Sequence, residues 1–407
     1  MSAEYREIRQ EEYEAAVQME GGAFYNRATP ERLQAIMSFY PPKWTVAAFV
    51  DGRPVADVRT LPMARWTLGA ALRFGAVGPV ACDSAYRRQG HVGTLLRLAL
   101  ERMREHGQGL SGLHTPHDAL YARYGWERAE GKKRYEFRPK DVRLRIKGAR
   151  GTLEKVSPDD WPRLDAIYRA HAEPRNGPLL RIEPWWKESI LRDYEQPGEP
   201  APREAYVWRS AAGQDEGFVV YMPRRMPRDG WWEPTDVFVR DFISLSGDAY
   251  LGLWEHLLNN DIARTIIARV ALHDPLPDLT EDPFRIAAGK DEGAMIRIVD
   301  VERALNERPY CGERHAAFTM RVNDRTAPWN EGTWRVEAAE GHMQATRTEG
   351  EPDVELTANT LAPLFTGYMR PDVAAGVGLL KVARPEAVAE MTEAFRVTHP
   401  PYCNDRY

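Results

Sequence analysis

Two arginines and two glycines are clustered where an apolar strand gives way to a helix, in the stretch YRRQGHVG at residues 86–93. A helix N-terminus presents unpaired N–H groups and about half a positive charge. Gly90 and Gly93 let the backbone approach a ligand, and the guanidinium groups of Arg87 and Arg88 match phosphate oxygens. The stretch therefore predicts a pyrophosphate cradle, although a basic, solvated first helical turn would give the same pattern.

The nucleotide-binding fingerprints GxxxxGK[ST] and GxGxxG do not occur here, so the stretch belongs to neither of those classes. The strand before it, in LRFGAVGPVACD, contains Gly75, Gly78 and Pro79, which favour a bulge or a splayed position. The segment after it predicts a helix, because apolar residues repeat at helical spacing from Val92 to Met103. The sequence thus places the basic turn between a broken strand and an amphipathic helix.

The elements that must position this turn alternate between strands and helices. REIRQEEYEAAVQMEGGAF begins as a strand and continues as a helix with Ala15, Val17 and Met19 on its buried side. PERLQAIMSFYPP predicts a second helix, and DGRP predicts the tight turn of a hairpin. After the basic helix, LSGLHT and KKRYEFRP predict strands, and PHDALYARYG between them predicts a helix.

Length and composition limit the class of protein. A chain of 407 residues is too long for a single hydrophobic core, and roughly 100–200 residues per domain predict two to four domains. A formal charge of −5 argues against a nucleic-acid partner. Cys82, Cys311 and Cys403 show no CxxC or zinc spacing, so we expect reduced thiols, a cytoplasmic protein and no metal site. The polar N-terminus and the lack of ~18 consecutive apolar residues predict neither a signal peptide nor a membrane span.

Two further segments follow the first. Residues 146–288 repeat its order: FISL leads through SGD into a helix, as PVAC leads through DSAYRRQG, but the basic residues and the glycine spacing are missing. We interpret this segment as a degenerate internal repeat. Residues 289–407 start with the strand AMIRIVD and the helix VERALNERP, and they end in PEAVAEMTEAFRVTHPPYCNDRY.

The run VGPVACDSAYRRQGHVGTLL resembles the acetyl-CoA signature [RQ]xxGx[GA] of the GNAT acetyltransferases. Arg87 and Gly90 match it, whereas Val92 stands where most members have Gly or Ala. That departure resembles the Eis-like N-acetyltransferases, whose loop reads RRxG followed by aliphatic residues. LYARYGW at residues 120–126 is similar to a second motif of that family, and the chain length and the LAPLFTGY segment are similar to its three-domain organisation.

The resemblance implies a mixed α+β fold with tandem GNAT-like domains and a C-terminal domain like the sterol carrier proteins. The implied boundaries are 1–145 for the acetyl-CoA-binding domain, 146–288 for the degenerate second domain and 289–407 for the third, whose C-terminus reaches the active site. Direct transfer of an acetyl group from acetyl-CoA to a primary amine is implied, as is a homo-oligomer, a hexamer in the family. The surplus of 12 Trp and 17 Tyr agrees with clefts or interfaces. The implied cofactor-binding residues are Val80, Ala81, Cys82, Arg87, Arg88, Gly90, His91, Val92 and Gly93.

Three catalytic roles are implied by the same resemblance. The amide of Cys82, on the splayed strand, donates to the thioester oxygen, and its thiol is interpreted as a small buried hydrophobe rather than a nucleophile. Tyr121 is the acid that protonates the leaving thiolate, while Tyr124 packs under the loop. The α-carboxylate of Tyr407 is the base, or it only holds the acceptor ammonium in place, because its ordinary pKa of ~3.5 is low for a base.

The acceptor is less defined. Family members that modify aminoglycosides line their cleft with carboxylates, for which this chain has Glu20 and Asp405, but Arg406 stands where such members carry an acidic residue. Lysine side chains and other primary amines are therefore alternative acceptors. Candidate aromatic walls, which also fit ordinary core packing, are Phe24, Tyr25, Phe39, Tyr40, Trp44 and Trp66. Candidate proton relays, which also fit ordinary loop positions, are His91, His114 and His117.

Two other functions compete with an acetyltransferase. A GNAT fold that has lost catalysis would act as a lipid-binding or scaffold protein, for which the third domain and Arg406 are the motivation. A nucleotide-binding regulator is the weaker alternative, since no other nucleotide motif is present and the formal charge is −5.

Overall fold

The computed structural model describes residues 3–25, 41–192, 194–195, 200–225 and 234–407. The chain forms two compact units. The first unit comprises Met1–Glu130, Ala294–Pro401 and Asp405–Tyr407, and the second comprises Gly131–Gly293 and Tyr402–Asn404. Each unit therefore combines segments that are distant in the sequence.

The described strands and helices are numbered in chain order. Up to residue 137 they are β1 Glu4–Glu7, α1 Tyr13–Ala23, β2 Thr45–Val50, β3 Arg53–Thr67, β4 Ala70–Cys82, α2 His91–Glu105, β5 Leu110–Leu113, α3 Asp118–Ala122, β6 Glu127–Arg128 and β7 Lys132–Phe137. Up to residue 298 they are β8 Gly151–Lys155, α4 Trp161–Ala172, β9 Asn176–Leu179, α5 Glu183–Trp185, β10 Tyr194–Glu195, β11 Pro200–Ala201, β12 Glu204–Ser210, β13 Asp215–Arg225, β14 Thr235–Ser244, α6 Gly247–Leu258, β15 Ala263–Ala271, β16 Ala287–Asp291 and β17 Met295–Ile298. The last are α7 Val301–Glu307, β18 Ala316–Asn323, β19 Gly332–Ala339, β20 His342–Thr348, β21 Val354–Thr357, α8 Ala358–Thr366, α9 Pro371–Gly376, β22 Lys381–Val382 and α10 Glu386–Ala394.

The main sheet of the first unit runs in the order β1-β2-β3-β4-β5-β17-β6. In this order β4 and β5 are parallel, and the other neighbours are antiparallel. Leu95, Leu96 and Leu100 of α2 pack on one face of the sheet. Tyr13 and Val17 of α1 pack on the other face. The sheet is therefore a middle layer between two helices, and β17 enters it from far along the chain.

The hairpin and the bulge that the sequence predicts are both confirmed. Asp51 and Gly52 join β2 to β3 with φ values of 49° and 76°, and a type I′ turn needs positive φ at both of its central residues. The register of β3 against β4 slips between the pairs Val58–Val80 and Thr60–Val77. Gly78 and Pro79 lie at this slip, and Pro79 is tolerated at a bulge because it has no N–H to give to the ladder.

The helix α1 is confirmed, and of its predicted buried residues Val17 is confirmed while Ala15 is wrong. Tyr13, Ala16, Val17 and Glu20 are buried, whereas Ala15 is exposed and Met19 is only partly buried. A helix brings residues three and four positions apart onto one side, and the predicted set had the two-residue period of a strand. The predicted helix PERLQAIMSFYPP lies almost entirely within residues 26–40, outside the described part of the chain.

The second unit has a sheet in the order β16-β7-β15-β14-β13-β12-β8. The strand predicted from KKRYEFRP is confirmed as β7, and it pairs with β15 and β16 in this sheet. Antiparallel β13 and β14, the helix α6 and a parallel β15 repeat the order of β3, β4, α2 and β5. The predicted internal repeat is therefore present in the topology.

The C-terminal part of the first unit has a separate sheet in the order β20-β19-β18-β21-β22. Its buried side chains include Phe318, Trp334, Leu361 and Phe365, which come from two strands and from α8. In neither unit does a described helix have the length and apolar character needed to cross a bilayer.

Candidate active site

A cavity of about 810 Å³ lies at the place where β4 and β5 separate. The two strands pair only over Phe74–Ala76 and Leu110–Gly112, and beyond these residues they diverge. The walls come from the ends of α1 and β4, the start of α2 and the region of α3. The lining residues are Ala23, Phe24, Val80, Ala81, Cys82, Arg87, Arg88, Val92, Pro116, His117, Asp118, Ala119, Leu120 and Arg123.

The basic turn forms the cavity edge at the start of α2. Arg88 and Gly90 have φ values of 62° and 88°, so two left-handed residues turn the chain from the strand into the helix. Gly90 is the N-cap residue, and no side chain caps the N-terminus of α2. The first-turn N–H groups of this 15-residue helix are consequently not occupied by a capping side chain and can bind an anion.

The guanidinium groups at the cavity differ in their contacts. Arg87 donates hydrogen bonds to the backbone carbonyl oxygens of Cys82 and Ala23. Arg123, at the end of α3, also lines the cavity and donates to the carbonyl oxygen of Ala119. Sequence reasoning missed Arg123, although it lies inside the LYARYGW motif.

The amide of Cys82 points away from β3 and toward the gap between the strands. Asp83 donates its N–H to the carbonyl oxygen of Val55 at 2.9 Å, and amides alternate in direction along a strand. The N–H of Cys82 must therefore point the other way. The thiol is half-buried, and burial raises its pKa, so the neutral thiol is favoured.

Two residues of the predicted cofactor set face the protein interior. His91 is buried, and its Nδ1 lies 2.9 Å from the hydroxyl oxygen of Tyr5. Gly93 faces Tyr124, and a Cβ at this position would lie 2.2 Å from the Tyr124 hydroxyl oxygen. The glycine thus permits a close approach to a tyrosine ring.

Tyr121 lies in α3 and is 9% exposed. Its ring packs edge-on against Trp126, with the ring centroids 6.4 Å apart. Burial raises the pKa of Tyr121 to about 12, because the phenolate would lose its hydration. The phenol is therefore protonated at neutral pH.

The C-terminal segment contacts the paired part of β4 and the residue that follows β5, and Tyr407 is not among the residues that line the cavity. The ring of Tyr407 contacts Phe74 of β4 edge-on, with centroids 5.6 Å apart, and lies 4.9 Å from the ring of His114, which follows β5. The Nε2 of His114 donates to the backbone carbonyl oxygen of Asp405 at 3.0 Å. The predicted relay His114 is thereby engaged with the C-terminal segment, and His117 lines the cavity.

The charged residues predicted to bind the acceptor lie in separate parts of the fold. Glu20 is buried under α1 in an ion pair with Arg59, and Asp405 is buried while Arg406 is exposed. Asp57 of β3, which sequence reasoning missed, joins the Glu20–Arg59 pair and is fully buried. The sequence does contain a pattern that could have identified it, because Asp57 and Arg59 are polar residues in an otherwise apolar strand. Their spacing of two positions puts both side chains on one face of the strand.

Few of the aromatic candidates belong to the cavity. Phe24 lines it and is 55% exposed, and Tyr25 beside it is 90% exposed. Trp44 stacks on His106 beyond the far end of α2, and Trp66 is buried in the core. Phe39 and Tyr40 lie outside the described residues. Within the described ranges, no group of three or more His, Cys, Asp or Glu side chains has metal-binding geometry.

Family models match three parts of the chain. An acetyltransferase (GNAT) domain matches residues 4–129, and a second acetyltransferase (GNAT) domain model matches residues 177–298. A sterol carrier protein domain matches residues 301–404. Together they support tandem GNAT domains followed by a sterol-carrier-like domain.

Curated relatives match most of the chain. A protein of Streptomyces avermitilis named as an uncharacterized N-acetyltransferase is 26% identical over 345 residues, which is 82% of each chain. N-acetyltransferase Eis of Mycobacterium tuberculosis is 24% identical over 338 residues, 80% of this chain and 77% of that protein.

Solved structures share the fold over the full length. A GCN5-related N-acetyltransferase from Anabaena variabilis superposes with a TM-score of 0.88 at 21% identity, with 100% of both chains covered. Eis1 from Mycobacterium abscessus superposes with a TM-score of 0.83, also at 21% identity and with 100% of both chains covered.

These findings define the protein as a GNAT-type N-acetyltransferase with tandem GNAT domains and a sterol-carrier-like domain. Within that class, the chain is similar to the Eis-like N-acetyltransferases, with curated relatives 26% and 24% identical over 82% and 80% of the chain. The resemblance to that family predicted from the sequence is thus confirmed.

Proposed function

We propose that the protein transfers the acetyl group of acetyl-CoA directly to a primary amine, at the cavity between β4 and β5. The observation that carries the proposal is the arrangement of three groups around one cavity. An uncapped helix N-terminus with Arg88 forms one edge and the outward amide of Cys82 forms another. Residues 118–120 of α3, directly before the buried phenol of Tyr121, form a third.

The residues present fit acetyl-CoA. The first-turn amides at Gly90–Gly93 and the guanidinium of Arg88 supply donors for a pyrophosphate group. Val80, Ala81 and Cys82 line the cavity as an exposed strand edge, which supplies amide donors for an extended chain such as pantetheine. The Cys82 amide is the proposed donor to the thioester oxygen, where negative charge develops during acyl transfer.

Tyr121 is the proposed general acid. Its raised pKa of about 12 keeps the hydroxyl protonated, so a proton is available for the departing thiolate. At this pKa the phenol is a weaker acid than an alkyl thiol, whose ordinary pKa is ~8.5, so the proton transfer requires that burial also raises the basicity of the departing thiolate.

An α-carboxylate on Tyr407 is the proposed partner of the amine. Support comes from the Tyr407 ring, which packs against Phe74 of β4 and lies beside His114, the residue after β5. A carboxylate there attracts an ammonium group and accepts its proton, directly or through water. We propose His114 as the group that fixes this segment through Asp405.

The proposed acceptors are polycationic amines of the aminoglycoside type and lysine side chains. Phe24 lines the cavity and is the proposed apolar wall on the acceptor side. The Tyr407 carboxylate is the proposed negative charge. We also propose the three-domain division at residues 1–145, 146–288 and 289–407, a cytoplasmic location, a homo-oligomeric assembly and no nucleic-acid partner. The non-catalytic, lipid-binding alternative is not favoured, because the basic loop, the splayed strand and Tyr121 are all retained.

The test is thiol release from acetyl-CoA, followed colorimetrically with aminoglycosides, polyamines and lysine peptides as acceptors. We expect release that depends on the amine. A variant with one residue added after Tyr407 should lose most of this activity, and Tyr407→Phe, which keeps the ring and the carboxylate, should retain it. Binding of acetyl-CoA with no release for any amine would contradict the proposed reaction, and an active extended variant would contradict the role of the carboxylate.

A further inference from the structure

One exposed arginine of the basic loop ties two walls of the cavity together. The Nε of Arg87 donates to the carbonyl oxygen of Cys82 at 3.3 Å, and its Nη2 donates to the carbonyl oxygen of Ala23 at 3.1 Å. Cys82 ends β4 and Ala23 ends α1, and both line the cavity. A single guanidinium thus fixes the distance between the splayed strand and the end of α1.

The two acceptors suit a guanidinium better than any other side chain. Its donors are held in a rigid planar fork, so two carbonyl groups are bonded while only one side chain is immobilised. The carbonyl of Ala23 belongs to the last turn of α1, where unpaired carbonyl groups and the helix dipole concentrate negative charge. The ammonium of a lysine carries the same charge but lacks the fork, so it is expected to keep only one of the two bonds.

The neighbouring Arg88 lines the same cavity with different contacts. Among the residues that the structure describes, its guanidinium has no hydrogen-bond acceptor. Arg88 can therefore bind a phosphate without breaking a bond to any described residue, whereas Arg87 would have to release Cys82 or Ala23 to do so. The two arginines of the RRxG loop are consequently not equivalent.

We propose that Arg87 is a positioning residue that holds the end of α1, and with it Phe24, at a fixed distance from the Cys82 peptide, while Arg88 contacts the cofactor phosphates. This inference rests on the proposed acetyl transfer. Phe24 stands on the acceptor side and Cys82 on the acyl side, so loss of the bridge displaces the amine from the thioester. A displacement of about 1 Å reduces rates by a factor on the order of 100.

The experiment compares Arg87→Gln, Arg87→Lys and Arg88→Gln in the full-length protein. The acetyl-CoA Kd is measured by titration calorimetry without amine, and kcat and KM are measured by thiol release with the best acceptor. Arg87→Gln should lower kcat/KM for the amine by about 10- to 100-fold, with the acetyl-CoA Kd within about threefold of wild type. Arg87→Lys should recover part of the loss, because one of the two bonds remains.

Arg88→Gln is the matched control, with the opposite pattern expected. Its acetyl-CoA Kd should rise by about tenfold or more through loss of a charge-assisted contact, with the KM of the amine near wild type. Thermal unfolding should leave the three variants close to wild type, because both arginines are exposed. The unfolding measurement therefore distinguishes a displaced α1 from a general loss of structure.

Two results would overturn the positioning role of Arg87. One is an Arg87→Gln enzyme with weakened acetyl-CoA binding and unchanged amine kinetics, and the other is an enzyme unchanged in both measurements. Wild-type protein that fails to bind acetyl-CoA would instead overturn the proposed function, and the inference with it. The calorimetric measurement on wild type therefore distinguishes the two failures.

Discussion

Tyr121 shows how the fold sets the protonation of one side chain. The ring is buried against Trp126, and burial raises its pKa to about 12. The raised pKa places the loss of the phenolic proton above the pH range in which enzymes are assayed, so the proposed acid is protonated throughout that range.

Tyr121→Phe should lower kcat by about 100-fold or more, the usual size for loss of a general acid, and should leave the acetyl-CoA Kd near wild type. Steady-state thiol release and titration calorimetry measure the two quantities. Tyr124→Phe is the matched control from the same motif, and it should keep most of the activity because its ring packs against Gly93. A Tyr121→Phe enzyme with full kcat would exclude the acid role.

Asp57 is a buried carboxyl group whose pKa lies well above the usual range. Burial is the main cause, and repulsion by the carboxylate of Glu20 adds to it, while Arg59 acts in the opposite direction. The unfolded chain ionises this group near a pKa of ~3.9, so the folded state retains a proton that the unfolded state has lost. Its contribution to stability therefore falls as the pH rises from about 4 toward the raised pKa.

Asp57→Asn should stabilise the protein at neutral and alkaline pH. The amide cannot ionise and so avoids the cost of a buried charge, and we expect a gain of about 1 kcal/mol at pH 8 and a smaller one near pH 4. Urea unfolding at both pH values measures the difference. A variant less stable than wild type at pH 8 would show that the ionised Asp57 contributes favourably to the fold.

At the scale of elements, the start of α2 depends on its contact with the segment that follows α3. A Cβ at Gly93 would lie 2.2 Å from the hydroxyl oxygen of Tyr124 and 3.2 Å from its Cζ. The N-terminus of α2 is therefore positioned by a residue that is not among those lining the cavity, and the clash is confined almost wholly to one oxygen atom.

Gly93→Ala should destabilise the protein by about 1–3 kcal/mol through overpacking and should weaken acetyl-CoA binding. Because the hydroxyl oxygen is the clashing atom, Gly93→Ala combined with Tyr124→Phe should recover most of both losses. Urea unfolding and calorimetry on the two single variants and the double variant form a double-mutant cycle. Additive losses in the double variant would show that Tyr124 does not set the position of α2.

At the scale of the whole molecule, the first unit is built from segments on both sides of the second. The strand β17 pairs with β5 on one side and with β6 on the other, and Met295 and Ile296 are fully buried. A fragment that stops before β17 would expose the edge of β5 and leave β6 without this partner. Local continuity of sequence therefore does not define a folding unit here.

We expect a fragment of residues 1–145 to lack a cooperative unfolding transition. A chain in which Glu130 is joined to Ala294 by a short glycine linker should unfold cooperatively, because the amide of Ala129 donates to the carbonyl oxygen of Ala294 at 3.3 Å and the ends are adjacent. Urea unfolding followed by circular dichroism measures both. Cooperative unfolding of the 1–145 fragment would show that the sheet is stable without β17.

The sequence by itself determined the elements and the chemistry that depends on local spacing. The Asp51–Gly52 turn, the bulge at Gly78–Pro79 and the helix start at Gly90 follow from the backbone preferences of Gly and Pro, which act over a few residues. The resemblance of the basic turn and of LYARYGW identified the family, because those residues are close together in the chain.

Only the tertiary structure decided which distant groups meet. The register of β3 and β4 put Asp57 behind the cavity wall, and the ends of α1 and β4 met at Arg87. The strands β7 and β17 pair with strands from distant segments, β7 with β15 and β17 with β5. Backbone hydrogen bonds between strands do not depend on residue type, so the local sequence does not select the partner. The spacing of residues along the chain does not predict such pairings, because the contacts that stabilise them form only between segments that folding brings together.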